Sequence, residues 1–211
     1  MRAFLFDMDG TIVDSLADIG GSMNLALRDL GLPEHSIAAY RHLVGEGAAS
    51  LVARALPPGR EALRDDALAR YRSHYARNMV ALSRPYAGIV ALLDALARRG
   101  DRLGVVTNKP EAPARAIAHA LFARETFGVV VGERAGLAKK PDPAPALAAA
   151  EALGLAPADC VFVGDTAIDV LTARAAGMRS VGVLWGFRDR EELEEAGVDH
   201  VVERADEILR L

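Results

Sequence analysis

Two aspartates stand one residue apart near the start of the chain, in the stretch "FLFDMDGT" (4–11). On an extended backbone Asp7 and Asp9 point the same way, with Cα atoms roughly 6–7 Å apart. Two carboxylates so placed can face one bound group, one as nucleophile and the other as general acid and base. Gly10 lets the backbone turn tightly, and Thr11 can hydrogen-bond locally. A DxD pair can equally cap a helix or open a calcium loop. The calcium loop fails on spacing, because counting from Asp7 the glycine position holds Ile12 and the closing glutamate position holds Asp18.

Three further clusters carry polar chemistry. In "VVTNKP" (105–110) the Thr107 hydroxyl and the Asn108 amide can donate to a phosphate oxygen, and Lys109 is one of only three lysines; a polar turn closed by Pro110 is the plain alternative. In "KKPDPAP" (139–145) Lys140 sits on a proline-stiffened loop, where its compact charge can neutralise an anion, although a surface lysine is the simpler reading of that residue alone. In "VFVGDTAIDV" (161–170) Asp165 follows an apolar run, Thr166 can cap a helix and Asp169 falls on its first turn. An acidic residue suits a helix N-terminus anyway, so capping accounts for Asp169 better than for Asp165. Clustered carboxylates repel unless a cation joins them, and hard oxygen ligands of this kind suit magnesium, which also shares its ligands with phosphate.

The elements that must position these groups are short apolar runs: 3–7, 102–108, 127–132, 160–164 and 179–185. Uninterrupted apolar runs fit parallel strands buried on both faces. Each but the last precedes a helical segment, so the pattern predicts βαβ units and a doubly wound α/β sheet. Ligands of such sheets sit at the carboxyl ends of the strands, where the four clusters would converge. Residues 15–83 show no strand. Leu16, Ile19, Met23, Leu27 and Leu30 are spaced for one helical face with Gly31 as a stop, "PPG" (57–59) punctuates, and a long helix is expected from Arg60 to Met79. The chain therefore reads as a core of 1–14 and 84–211 with an all-helical insertion, 15–83, hinged near Asp14 and Pro85.

Bulk properties narrow the class. The 211 residues are half hydrophobic, enough for one α/β core with a small insert. A net charge of −4 argues against a broad nucleic-acid-binding face. The single Cys160 lies in an apolar run and reads as core, with no intrachain disulfide possible. The apolar run before Asp7 is too short for a signal peptide and no stretch is long enough to span a bilayer, so a cytoplasmic protein without a membrane partner is expected.

"DMDGT", "VVTNK", Lys140 in "KPDPAP" and "GDTAID" together resemble, in order and spacing, the four motifs of the haloacid dehalogenase superfamily. The resemblance covers the whole chain. It implies a Rossmann-like core, with the insertion similar to that superfamily's helical C1 cap. "RHLVGEGAASLVARAL" (41–56) and "TNKP" are similar to the corresponding stretches of bacterial phosphoglycolate phosphatases. The resemblance further implies that Asp7 attacks phosphorus to form an aspartyl-phosphate, and that Asp9 protonates the leaving group and then activates water. Thr107 and Lys140 would hold the phosphoryl group, and Mg2+ would bind Asp7, the Asp9 backbone carbonyl and Asp165, with Asp169 in support. Asn108 and the cap loop Gly45-Glu46-Gly47 would border a small phosphorylated metabolite, 2-phosphoglycolate first, in a monomer or homodimer. Glu46 departs from the asparagine common between those glycines, so its acidic side chain is expected to face solvent while Arg41, His42 or Arg54 supplies positive charge.

Neighbouring chemistries separate on particular residues. Dehalogenation needs no second carboxylate at position 9. Phosphonate cleavage in this group uses a cap lysine, and residues 15–83 contain none. A sugar-phosphate mutase shares the Asp pair and stays open, as do sugar phosphate, nucleotide and pyrophosphate substrates. Receiver-type signalling modules also carry a phosphorylated Asp with Thr and Lys, but they lack an insertion and place the acceptor after a middle strand.

Overall fold

The computed structural model describes residues 1–211. Strand β1 (Ala3–Phe6) is wholly buried and lies at the centre of a six-stranded sheet. Its parallel neighbours are β4 (Arg102–Pro110) on one side and β6 (Cys160–Gly164) on the other. β5 (Val129–Glu133) extends the sheet beyond β4, and β7 (Arg179–Val183) and β8 (His200–Val202) extend it beyond β6, all parallel. The chain thus winds outward from β1 in both directions, and the carboxyl ends of β1, β4 and β6 border one crevice. The doubly wound α/β class expected from the apolar runs is what forms.

Side chains of β1 alternate between two apolar clusters. Phe4 and Phe6 belong to one of 38 residues, Ala3 and Leu5 to one of 13, so the clusters occupy opposite faces of the sheet. Helices α4 (Ile89–Arg98), α5 (Glu111–Leu121), α6 (Ala144–Leu153), α7 (Ala167–Ala175) and α8 (Arg190–Glu195) complete the layers. In α4 the buried Ile89, Leu92, Leu93 and Leu96 recur at the helical period, so this ten-residue helix turns one apolar face to the core.

The larger cluster continues beyond the sheet into the insertion, where Met23, Leu27, Tyr40, Tyr71 and Tyr75 join it. The insertion comprises α1 (Leu16–Asp29), a 3₁₀ turn (Ile37–His42), α2 (Ala48–Ala55), a second 3₁₀ turn (Glu61–Leu63) and α3 (Arg64–Asn78). The long helix expected from Arg60 is therefore a 3₁₀ turn followed by α3. Two strands too short to read from sequence, β2 (Val13–Asp14) and β3 (Arg84–Pro85), pair antiparallel where the chain enters and leaves the insertion. The expected hinge residues Asp14 and Pro85 lie in this two-stranded neck. β8 and α8 likewise leave no clear mark in the sequence. The first has only three residues, and the second, "REELEE", buries Leu193 alone and so carries no apolar stripe.

Asp18 on the first turn of α1 anchors the neck. Its buried carboxylate accepts hydrogen bonds from Leu82 N at 3.0 Å, Ser83 N at 2.8 Å and Ser83 Oγ at 2.7 Å. Asp18→Ala would strand the donors of Ser83 in the interior and should lower stability by about 2–3 kcal/mol. Urea unfolding measures this, and a loss below about 0.5 kcal/mol would show that the anchor is dispensable.

Candidate active site

The end of β1 delivers Asp7 to the crevice, where Asp7 N donates to Val163 O of β6 at 2.9 Å. Asp7 Oδ1 accepts from Met8 N at 2.7 Å and pairs with Lys140 Nζ at 3.0 Å. Oδ2 has no hydrogen-bond partner, and the residue lines a cavity of about 380 Å³. Burial, reinforced by the like charges of Asp169 and Asp9 and opposed by Lys140, pushes the Asp7 carboxyl up to about 6.

Lys140 is almost fully buried and sits between Asp7 and Asp169 Oδ1, the latter at 2.7 Å. Burial works against the ammonium, but Asp169 and Asp7 outweigh it and hold its pKa above the ordinary value. Asp169 also caps α7: its Oδ2 accepts from Thr166 N at 3.1 Å and Thr166 Oγ1 at 2.9 Å, in a reciprocal capping box. Capping and ion pairing are thus both true of this residue.

Asp165, fully buried at the end of β6, accepts from Thr11 Oγ1 at 2.9 Å and from Phe187 N at 2.8 Å. Gly10 and Gly186 press against it: a Cβ on either would come within 2.2 Å of an Asp165 side-chain atom. Desolvation, with Asp169 and Asp7 close by, raises its pKa well above the usual carboxylate range. Asp7, Asp165 and Asp169 each offer an oxygen within 4.8 Å of the others. With one ammonium among three buried carboxylates, the raised values of Asp7 and Asp165 mark a shortage of positive charge. A hard divalent cation fits this donor set, supplying the charge that Lys140 alone does not.

Asp9 stands apart from that cluster. Ser15 Oγ donates to its Oδ1 at 2.6 Å and Lys109 Nζ approaches its Oδ2 at 2.8 Å. Lys109 Nζ also donates to Tyr75 OH at 2.6 Å, joining α3 of the insertion to Asp9. The sequence marks Lys109 as one of three lysines, beside two candidate phosphate donors, but assigns it no partner. Its place at the carboxyl end of β4, directly after Thr107 and Asn108, is the signal that could have found its role.

Thr107 lines the cavity, its Oγ1 accepting from Lys109 N at 3.3 Å. Asn108 also borders the cavity but uses its amide as a staple. It donates to Gly45 O at 3.2 Å and Lys140 O at 3.1 Å, and accepts from Lys140 N at 2.9 Å. Gly47, at φ +89, is needed here, since a Cβ would stand 3.0 Å from Asn108 O. Glu46 does not line the cavity; it is half-exposed and pairs with Arg54. Of the three residues expected to supply charge, Arg54 is held by Glu46, and Arg41 donates to Gly186 O at 2.5 Å and Phe187 O at 3.4 Å. Arg188 returns the contact by donating to the carbonyls of Arg41 and Val44. These bonds seat the insertion over the crevice, whose roof is apolar: Ile19, Val44, Leu51, Tyr71 and Tyr75.

An aspartate at the end of a central parallel strand, with a buried lysine and two more carboxylates around it, matches a recorded family. The profile of haloacid dehalogenase-like hydrolases matches residues 1–177, a span that holds all four clusters, and the chain belongs to that family. It is 42% identical over 204 residues to the phosphoglycolate phosphatase of Rhodospirillum rubrum, covering 93% of this chain and 84% of that protein. It is 37% identical over 191 residues to the phosphoglycolate phosphatase of Xylella fastidiosa, covering 90% and 83%. Among solved structures, a haloacid dehalogenase-like hydrolase from Streptococcus pneumoniae matches with a TM-score of 0.90 at 26% identity, covering 100% of this chain and 97% of that one. No helix is long and apolar enough to cross a membrane.

Proposed function

We propose that this protein is a magnesium-dependent cytoplasmic phosphatase that hydrolyses 2-phosphoglycolate through an aspartyl-phosphate, with residues 15–83 as a cap over the core. The observation that carries the reading is the asymmetry of Asp7, whose Oδ1 is held by Met8 N and Lys140 while Oδ2 is left without a partner beside the cavity. A nucleophile needs one oxygen fixed and the other free. Names of relatives such as that in Rhodospirillum rubrum support the substrate, and the small, roofed cavity favours a short ester.

In this reading Asp7 Oδ2 attacks phosphorus and the ester P–O bond breaks, its electron pair leaving with the alcohol oxygen. Asp9 gives that oxygen a proton. Water then attacks the aspartyl-phosphate, losing a proton to Asp9, and the bond between phosphorus and Asp7 breaks to release phosphate. Thr107 and Lys140 hold the phosphoryl oxygens. Asp169 fixes Lys140, and Ser15 with Lys109 orients Asp9. Asp7, Asp165 and the Asp9 backbone carbonyl, with Asp169 in support, would hold a divalent cation, which would neutralise phosphoryl charge. A panel of phosphate monoesters assayed with magnesium tests the substrate. Phosphoglycolate should give the highest kcat/KM, and a larger value for a sugar phosphate or nucleotide would refute that choice. Asp9→Asn should slow poor leaving groups by about 10²–10⁴-fold and p-nitrophenyl phosphate much less. Equal slowing of alkyl and nitrophenyl esters would remove Asp9 from the acid role.

A further inference from the structure

The cations around the cavity are unequally committed. Lys140 is held between Asp7 and Asp169, and Lys109 between Asp9 and Tyr75. Arg41 is bound to backbone carbonyls, Arg54 is paired with Glu46, and neither they nor His42 line the cavity. Arg72 is different. It lines the cavity from α3, is exposed, and makes no ion pair or hydrogen bond with the rest of the chain.

Its setting gives that guanidinium a fixed base. Tyr71, Arg72, Tyr75 and Ala76 all line the cavity, at positions that share one side of the helix. The rings of Tyr71 and Tyr75 are buried and stacked, with centroids 5.5 Å apart. The face beside Arg72 is therefore anchored, while the side chain itself is unpaired. The other α3 residues that line the cavity, Tyr71, Tyr75 and Ala76, are aromatic or apolar, so Arg72 is the one unpaired cation that this helix offers to a substrate. A planar fork of N–H donors suits a carboxylate, which it can bind through two parallel hydrogen bonds.

We infer that Arg72 is the specificity-determining residue that reads the substrate's carboxylate, an inference resting on the phosphatase reading above. The test compares 2-phosphoglycolate with 2-hydroxyethyl phosphate, which has a neutral end, in the wild type, Arg72→Ala and Arg72→Lys. The expected result is a wild-type preference for the carboxylated ester. Arg72→Ala should raise KM for phosphoglycolate about 10- to 100-fold more than KM for the neutral ester, with kcat changed far less. Arg72→Lys should recover part of the loss, since it restores charge without the fork. Equal losses on both esters would mean a structural role and overturn the inference. A wild-type preference that survives Arg72→Ala would overturn it alone, leaving phosphoglycolate as substrate. A wild type with no preference for the carboxylated ester would overturn it together with the substrate assignment, while trapping of phosphate on Asp7 would still stand.

Discussion

Asp7→Asn should abolish turnover, lowering kcat by about 10⁴-fold or more, and should leave no phosphate covalently trapped on the protein. An amide is no substitute for a carboxylate nucleophile, and uncatalysed hydrolysis of phosphate monoesters is so slow that accelerations reach about 10²¹. The same variant should not unfold. Asp7 is held near 6 chiefly by burial, so at neutral pH its ionised form is less favourable in the folded chain than in the unfolded one. A group with its folded pKa raised lends stability at low pH and loses it as pH climbs from about 4 through about 6. Removing the charge should then leave the melting temperature of the metal-free protein level or higher above pH 6. Full phosphatase activity, or phosphate trapped on another residue, would refute the assignment.

The second large effect concerns Asp165. Magnesium should raise the melting temperature of the wild type, because binding at about 100 times Kd stabilises by about 2.7 kcal/mol. Asp165→Ala should weaken magnesium binding by about 100-fold or more in calorimetry and erase that thermal shift. The shift in the wild type should grow with pH across the window in which Asp7 ionises, since bound metal needs deprotonated oxygens. Asp165, raised in the same direction by burial, and its neighbours Asp9, Asp169 and Lys140 act on that titration together. Persistence of the thermal shift in Asp165→Ala would place the metal elsewhere.

The groups that stood out in the sequence are those at the ends of β1, β4 and β6. Their runs are uninterrupted by polar residues, so each ends at a definite point and the next side chain must face the crevice. Asp7, Thr107 and Asp165 were legible for that reason. Partnerships were less so. Asn108 reads as a donor to ligand, yet its amide joins the Lys140 loop to Gly45, a fact that depends on how closely three separate loops approach. Lys109 reaches across to Tyr75 on a helix thirty-four positions away. Arg72 is one of several arginines on a helix with little apolar patterning, so the pattern does not say which of them faces the crevice. The neck strands and β8 fall below the length at which alternation can be recognised.

The neck has a consequence for how such a protein can change. Asp14 and Arg84 are direct antiparallel partners, with Cα atoms roughly 4.5–5.5 Å apart. Seen from the sheet, everything from 15 to 83 is a hairpin loop. Loop closure grows only logarithmically with length, about 0.6 kcal/mol per doubling, so closure itself sets little limit on the length of this segment, and a replacement has mainly to restore the apolar contacts that Met23, Leu27, Tyr40, Tyr71 and Tyr75 make. The floor of the cavity, with its carboxylates and Lys140, belongs to strands that such an exchange leaves in register. The roof, with Arg72, belongs to the part that is exchanged. Recombination at two adjacent backbone positions can therefore give the same hydrolytic floor a new clientele, and selection can act on what is admitted separately from what is done to it.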